Sequence, residues 1–261
     1  MSVSKNYRSH PERLEPKKNG AVSTKNLPQS QNYLEISFRP ETILKFASLV
    51  ICGLIVLSTL SQLYLYLIPG YKYTKLISFF YVDKESNLPT FYSSLALLFC
   101  SVLLAIIAKS KYKNYDKYRH YWKFLSLIFL YLSIDENAKI HEMTAATVRS
   151  FLNVSGFLYY AWVIPAIILF SLFALIYLKF VLSLPKKIRF LFIFAAAIFV
   201  SGAVGIEMIE ANFRLIEGKH NLTYAIMATV EETFEMVGIA IFMYALLKYL
   251  QQYIEPLKIR W

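Results

Sequence analysis

Apolar residues fall in long runs separated by short polar segments, and most runs approach the roughly 20 residues that carry a helix across a bilayer core. The first run covers about 43–68 and stops at Pro69-Gly70, a turn signal. Residues 71–82 (YKYTKLISFFYV) are too few to cross, and their tyrosines and lysines suit a helix lying at the interface. A second span is predicted over about 91–108 and a third from Trp122 to about Ile134. A fourth follows over about 157–180, where Pro165 is expected to kink it, as membrane bundles tolerate. The fifth covers about 190–213 and the sixth about 225–248. The pattern predicts an all-α polytopic membrane bundle of about six transmembrane helices.

Before the first run, residues 1–40 are polar and basic, with Pro11, Pro16, Pro28 and Pro40. Such a segment buries too little apolar surface to order itself, so it reads as a disordered cytoplasmic arm. Its basic residues suit an anionic leaflet. No apolar run begins before about Ile43, so no cleavable signal is expected. Residues 41–250 then form the transmembrane domain and 251–261 a short cytoplasmic tail.

Composition sharpens the class. Hydrophobic residues make up 57% and charged residues only 17%, against about 25% charged in a soluble domain. The net charge of +11 suggests nucleic acid until the basic residues are placed. They sit between apolar runs, where the positive-inside rule puts them. No basic helix or aromatic-basic platform is present, so the bilayer is the expected partner and nucleic acid is not. With the N-terminus inside, only Lys72, Lys75, Lys84, Lys139, Arg149, Arg214 and Lys219 of the 28 basic residues fall outside. That asymmetry predicts an N-in/C-in topology. Cys52 and Cys100 lie inside apolar runs and read as inert core thiols.

The same topology concentrates acids at the outer ends of the third, fifth and sixth spans: Asp135, Glu136, Glu142, Glu207, Glu210, Glu231, Glu232 and Glu235. An ionised carboxylate in the bilayer core costs about 2.5–3.5 kcal/mol on insertion scales. The nearby cations are Lys139 and Arg214, with His141 as a third. Most of these carboxylates therefore need a bound cation, a proton or a water-filled vestibule.

Ordinary packing accounts for part of the set, because Arg214 with Glu210 and Lys139 with Asp135 are spaced as i,i+4 pairs. The leading functional expectation is a divalent metal (Zn, Mn or Fe), since carboxylates with one imidazole suit such ions. The expected ligands are His141, Glu207, Glu210, Glu231, Glu232 and Glu235. Asp135 and Glu136 are the catalytic candidates, as ligand or as general base toward metal-bound water. The pattern departs from helical di-iron sites, which use Glu-x-x-His, because Ala138 stands three residues before His141. His10 and His120 fall elsewhere, which leaves His220 as the other histidine on the outer side. That reading gives a metal-dependent hydrolase or oxidoreductase of lipid-like substrates. The alternatives are a proton- or cation-coupled transporter or ion-conducting protein, and a structural or assembly subunit.

Smaller signals have local readings. Ser93 or Ser94 could face the acids, while Asn87 or Thr90 is expected to cap the second helix. Gly202, Gly205 and Gly238 read as close-packing positions. Asn153-Val154-Ser155 and Asn221-Leu222-Thr223 fit the glycosylation sequon.

The segments ESNLPTFYSS, LSIDENAKIHE, GIEMIE and EETFEMVGIAIFMYALLKYL together resemble an uncharacterised family of bacterial, cyanobacterial-type multi-pass membrane proteins over about residues 43–250. The resemblance implies a bacterial inner-membrane location and no particular activity. A more distant likeness is to the membrane hydrolase superfamily that includes alkaline ceramidases, matching Ser93 or Ser94, Asp135 and His141. This chain has Glu231, Glu232 and Glu235 where that superfamily carries a histidine pair on its last helix.

Overall fold

The computed structural model describes residues 33–36, 39–68, 75–82, 87–254 and 257–260. Residues 1–32 of the expected arm, the Pro69-Gly70 turn and the acids Asp83 and Glu85 lie outside them.

Helices dominate the described residues. α1 (Pro40–Leu67) is followed by α2 (Lys75–Phe80), which falls inside the segment predicted to lie at the interface. α3 (Leu88–Lys113) and α4 (Arg119–Ala138) form a hairpin, and α5 (Ile140–Leu152) begins as α4 ends. A 3-10 turn, Gly156–Leu158, leads to α6 (Val163–Ser183). α7 (Lys186–Val200) passes through a π-helical segment, Ser201–Ile206, into α8 (Glu207–Glu217). α9 (Leu222–Tyr253) closes the bundle. Two short strands, β1 (Tyr33–Ile36) and β2 (Leu257–Arg260), pair antiparallel at the chain ends.

Five helices are long and apolar enough to cross a membrane: α1, α3, α6, α9 and the continuous Lys186–Glu217 run. α4 is not among them, because its 20 residues include Arg119, Lys123, Asp135 and Glu136. It nevertheless runs back along α3. Ser101 Oγ donates to Ser126 O (2.8 Å) and Ser126 Oγ returns a bond to Ser101 O (2.9 Å). Ser94 and Ser133 repeat the exchange at 2.7 and 2.8 Å. The two pairs are seven residues apart on each helix, so the hairpin is antiparallel and in register. Small hydroxyl side chains allow that approach and satisfy themselves across it.

α9 is the central helix. Over its most apolar stretch 61% of residues are buried, against 11% for α6, whose aliphatic side chains face outward. Apolar exposure of that kind is what hydrocarbon solvates. Two glycines bring the α7–π segment onto α9. A Cβ on Gly202 would stand 2.8 Å from Glu231 O, and one on Gly238 would stand 2.8 Å from Phe199 Cβ. Gly205 has nothing within 4 Å, so of the three glycines expected to pack, it does not.

Further expectations are corrected in detail. Pro165 sits in the first turn of α6, where its missing N–H breaks no helical bond, so it starts the helix rather than kinking it. Asn87 is the cap of α3, its Oδ1 accepting from Thr90 N at 2.7 Å. Cys100 is buried as expected, but Cys52 is exposed on the outer face of α1. Lys248 of α9 pairs with Glu41 of α1, so the first turn of α1 and the last turns of α9 lie at one end of the bundle. Near that end Trp122, Phe180, Phe192 and Tyr249 form an aromatic cluster.

Candidate functional site

The acidic end is organised around the break between α4 and α5. Lys139 adopts φ +53°, a left-handed conformation, and its N–H closes onto Asp135 O at 2.6 Å. That turn carries His141 back over Asp135. The His141 backbone N–H donates to Asp135 Oδ1 (3.0 Å) and its Nδ1–H to Asp135 Oδ2 (2.6 Å). One carboxylate thereby satisfies a free N–H in the first turn of α5 and fixes the imidazole ring. The ring lies against Trp162, centroids 4.5 Å apart, and Trp162 Nε1 donates to Glu207 Oε1 at 2.7 Å. The series Asp135–His141–Trp162–Glu207 joins α4, α5, the start of α6 and α8. Trp162 was not anticipated; its signal is a tryptophan at the edge of an apolar span, where indoles pair an apolar body with a donating N–H.

The remaining carboxylates converge from α4, α8 and α9. Glu210 is 2% exposed, and Glu136, Glu207, Glu231, Glu232 and Glu235 are half-buried. Glu235 lies within electrostatic reach of Glu136, Glu232, Glu207 and Glu210. Glu231 lies within electrostatic reach of Glu210, Glu207 and Glu235. The π segment helps to aim these groups. It inserts an extra residue into the helix, which rotates everything after it by roughly 100°. Glu207 opens the α-helix at that point.

The cations do not distribute as i,i+4 spacing predicts. Lys139 reaches Glu142 at 3.0 Å, while Asp135 holds His141. Lys139 ends the helix, so the i,i+4 pair of Asp135 with Lys139 does not form. Arg214 does not pair with Glu210; its Nη1 donates to Tyr160 Oη at 2.9 Å. His220 is exposed beyond α8.

Among the described residues, no group of three or more His, Cys, Asp and Glu side chains is arranged to hold a metal ion. His141, the imidazole of the expected Zn, Mn or Fe set, is turned to Asp135 and Trp162. Glu207, Glu210, Glu231, Glu232 and Glu235 are close enough to interact electrostatically without forming such a group.

Neither serine joins the site. Ser94 Oγ is committed to Ser133 O, and Ser93 Oγ is buried without a partner among the described residues. Asn221 caps α9, accepting from Tyr224 N at 2.9 Å, and Asn153 ends α5 with φ +50°. A second buried polar group, also unanticipated, ties α1 to α9. Gln62, with no exposed surface, donates from Nε2 to Thr229 Oγ1 (2.6 Å) and Ser58 Oγ (3.2 Å). Its signal was a serine and a glutamine four apart inside an apolar span.

An all-helical bundle with apolar outer helices and carboxylates gathered at one end defines a multi-pass membrane protein. The chain belongs to a family described as a domain of unknown function (DUF8692), which matches residues 46–249, nearly the whole bundle. No curated protein and no solved structure matches it.

Proposed function

We propose that the protein is a six-span, N-in/C-in bundle whose carboxylate cluster binds and exchanges protons, as a proton- or cation-coupled transporter requires. The carrying observation is the convergence of Glu136, Glu207, Glu210, Glu231, Glu232 and Glu235 from α4, α8 and α9, with Glu210 buried and the others half-buried. Ionised carboxylates crowded away from water repel one another, and protons taken up among them relieve that repulsion.

Parity supports six crossings. The chain enters α1 and leaves α9 at the same end, so the number of crossings is even; α4, antiparallel to α3, supplies the sixth. The placement of basic residues supports the cytoplasmic location of both ends, and the inner membrane of a bacterial cell is the proposed location.

The test is proton flux into proteoliposomes containing a trapped pH dye and driven by a membrane potential. Wild type should acidify the lumen, and Glu210→Gln and Glu231→Gln should each reduce the rate about tenfold or more, in line with loss of a positioned proton-transfer group. Flux equal to that of empty liposomes would reject the reading. So would stoichiometric Zn, Mn or Fe lost on Glu232→Gln, which would restore the metal-dependent one.

A second reading has its own observation. Asp135 holds His141 through Nδ1, the arrangement that orients an imidazole as general base through its other nitrogen. It would serve hydrolysis of a lipid-like substrate. Hydrolysis of a fluorogenic lipid ester by wild type, lost in His141→Gln, would favour it over transport.

A further inference from the structure

Two arginines near the acidic end hold no carboxylate. Arg149 of α5 stacks its guanidinium on the Tyr159 ring, 4.1 Å from the centroid, and its Nη1 donates to Tyr159 O at 2.8 Å. Arg214 of α8 approaches the same ring at 5.3 Å and the Tyr160 ring at 5.4 Å. Its Nη1 donates to Tyr160 Oη, and the Tyr160 and Tyr224 hydroxyls are hydrogen-bonded at 2.8 Å. Neither arginine has an ion-pair partner among the described residues.

Each guanidinium carries five N–H donors in a fixed plane, and stacking on tyrosine sets that plane without using most of them. Two permanent cations on one ring repel each other, and a shared anion removes the cost. The surroundings say where the anion comes from. Met143 (75% exposed) and Phe151 (86%) project from faces of α5 turned away from Arg149, and Phe157 (52%) follows in the 3-10 turn. Large apolar side chains exposed on the same short helix and turn as arginine and tyrosine belong at a membrane–water boundary, level with lipid headgroups.

We propose that Arg149 and Arg214, held on Tyr159 and Tyr160, bind the phosphate of an anionic phospholipid headgroup at this end of the bundle. The planar fork accepts two phosphate oxygens per arginine, which a lysine does not reproduce. The site is independent of the carboxylate protons, and it stands whether or not the chain transports them.

The full chain is reconstituted into nanodiscs of phosphatidylcholine with added phosphatidylglycerol, released, and its retained lipids counted on the folded protein by native mass spectrometry. Wild type should retain phosphatidylglycerol over phosphatidylcholine. Arg149→Gln and Arg214→Gln should each weaken that preference about tenfold, the loss expected for a charge-assisted hydrogen bond. Arg149→Lys keeps the charge and folds if the glutamine variant does not; it should lose part of the preference. Lys123→Gln, an exposed residue toward the opposite end, should change nothing. Equal retention of the two lipids, or a preference unchanged in both glutamine variants, would overturn the proposal. So would displacement of phosphatidylglycerol by inorganic phosphate alone, which would assign the site to a free anion.

Discussion

Asp135 shows how much one side chain can settle. It accepts two hydrogen bonds from a single residue, one from the His141 backbone and one from its ring. Asp135→Ala should therefore cost about 2–3 kcal/mol, since hydrogen bonds to charged groups contribute about 1.5–3 kcal/mol each and the two share one acceptor group. Unfolding in mixed micelles measures it, and a change within experimental error would show that the turn holds without the contact. Both residues stand out in the sequence as candidates. Their partnership does not, because it depends on a left-handed lysine at 139, a conformation uncommon for residues other than glycine and invisible to helical spacing. Arg214 departs from its i,i+4 spacing for a related reason. Spacing shows that Glu210 can reach it, but the choice between a carboxylate and two tyrosine rings is made by tertiary packing.

Element positions were more legible than element joints. The apolar runs located α1, α3, α6 and α9, with ends that differ by up to six residues, as at the start of α6, and α4 from its own apolar half. Hydropathy averages over the π segment, so nothing in the run 190–213 announced the change of register before Glu207. The cross-bonded serines were legible in hindsight: Ser94 and Ser101, like Ser126 and Ser133, are one heptad apart. A double-mutant cycle of Ser101→Ala with Ser126→Ala should give a coupling of about 0.6–2 kcal/mol, the range for polar contacts between membrane helices. Additive effects would mean the hydroxyls do not bond across the hairpin. Gly202→Ala should be worse tolerated, by about 1–3 kcal/mol, because the new methyl meets a backbone carbonyl of α9 rather than a side chain that can move. Gly205→Ala has open space and should be close to neutral in the same assay.

For the whole molecule, the class was fixed by composition and run length, while the chemistry of the acidic end was not. Spacing put carboxylates at one end of three helices. It could not say whether they would close around an ion or hold protons among themselves, since that turns on distances of an ångström or two. Topology comes first in testing the assembly. In a background with Cys52 and Cys100 replaced, single cysteines at Asn153 and Lys219 should react with an impermeant thiol reagent outside intact cells, and one at Lys113 should not. The reverse pattern would move the cluster to the cytoplasmic side.

The proposed protonation of the carboxylate cluster is open to direct observation by infrared spectroscopy of the reconstituted protein at neutral pH. A carbonyl-stretch band of a protonated carboxylic acid should be present in wild type and shift or weaken in both Glu210→Gln and Glu231→Gln. A wild-type spectrum with only ionised carboxylate bands would contradict the account.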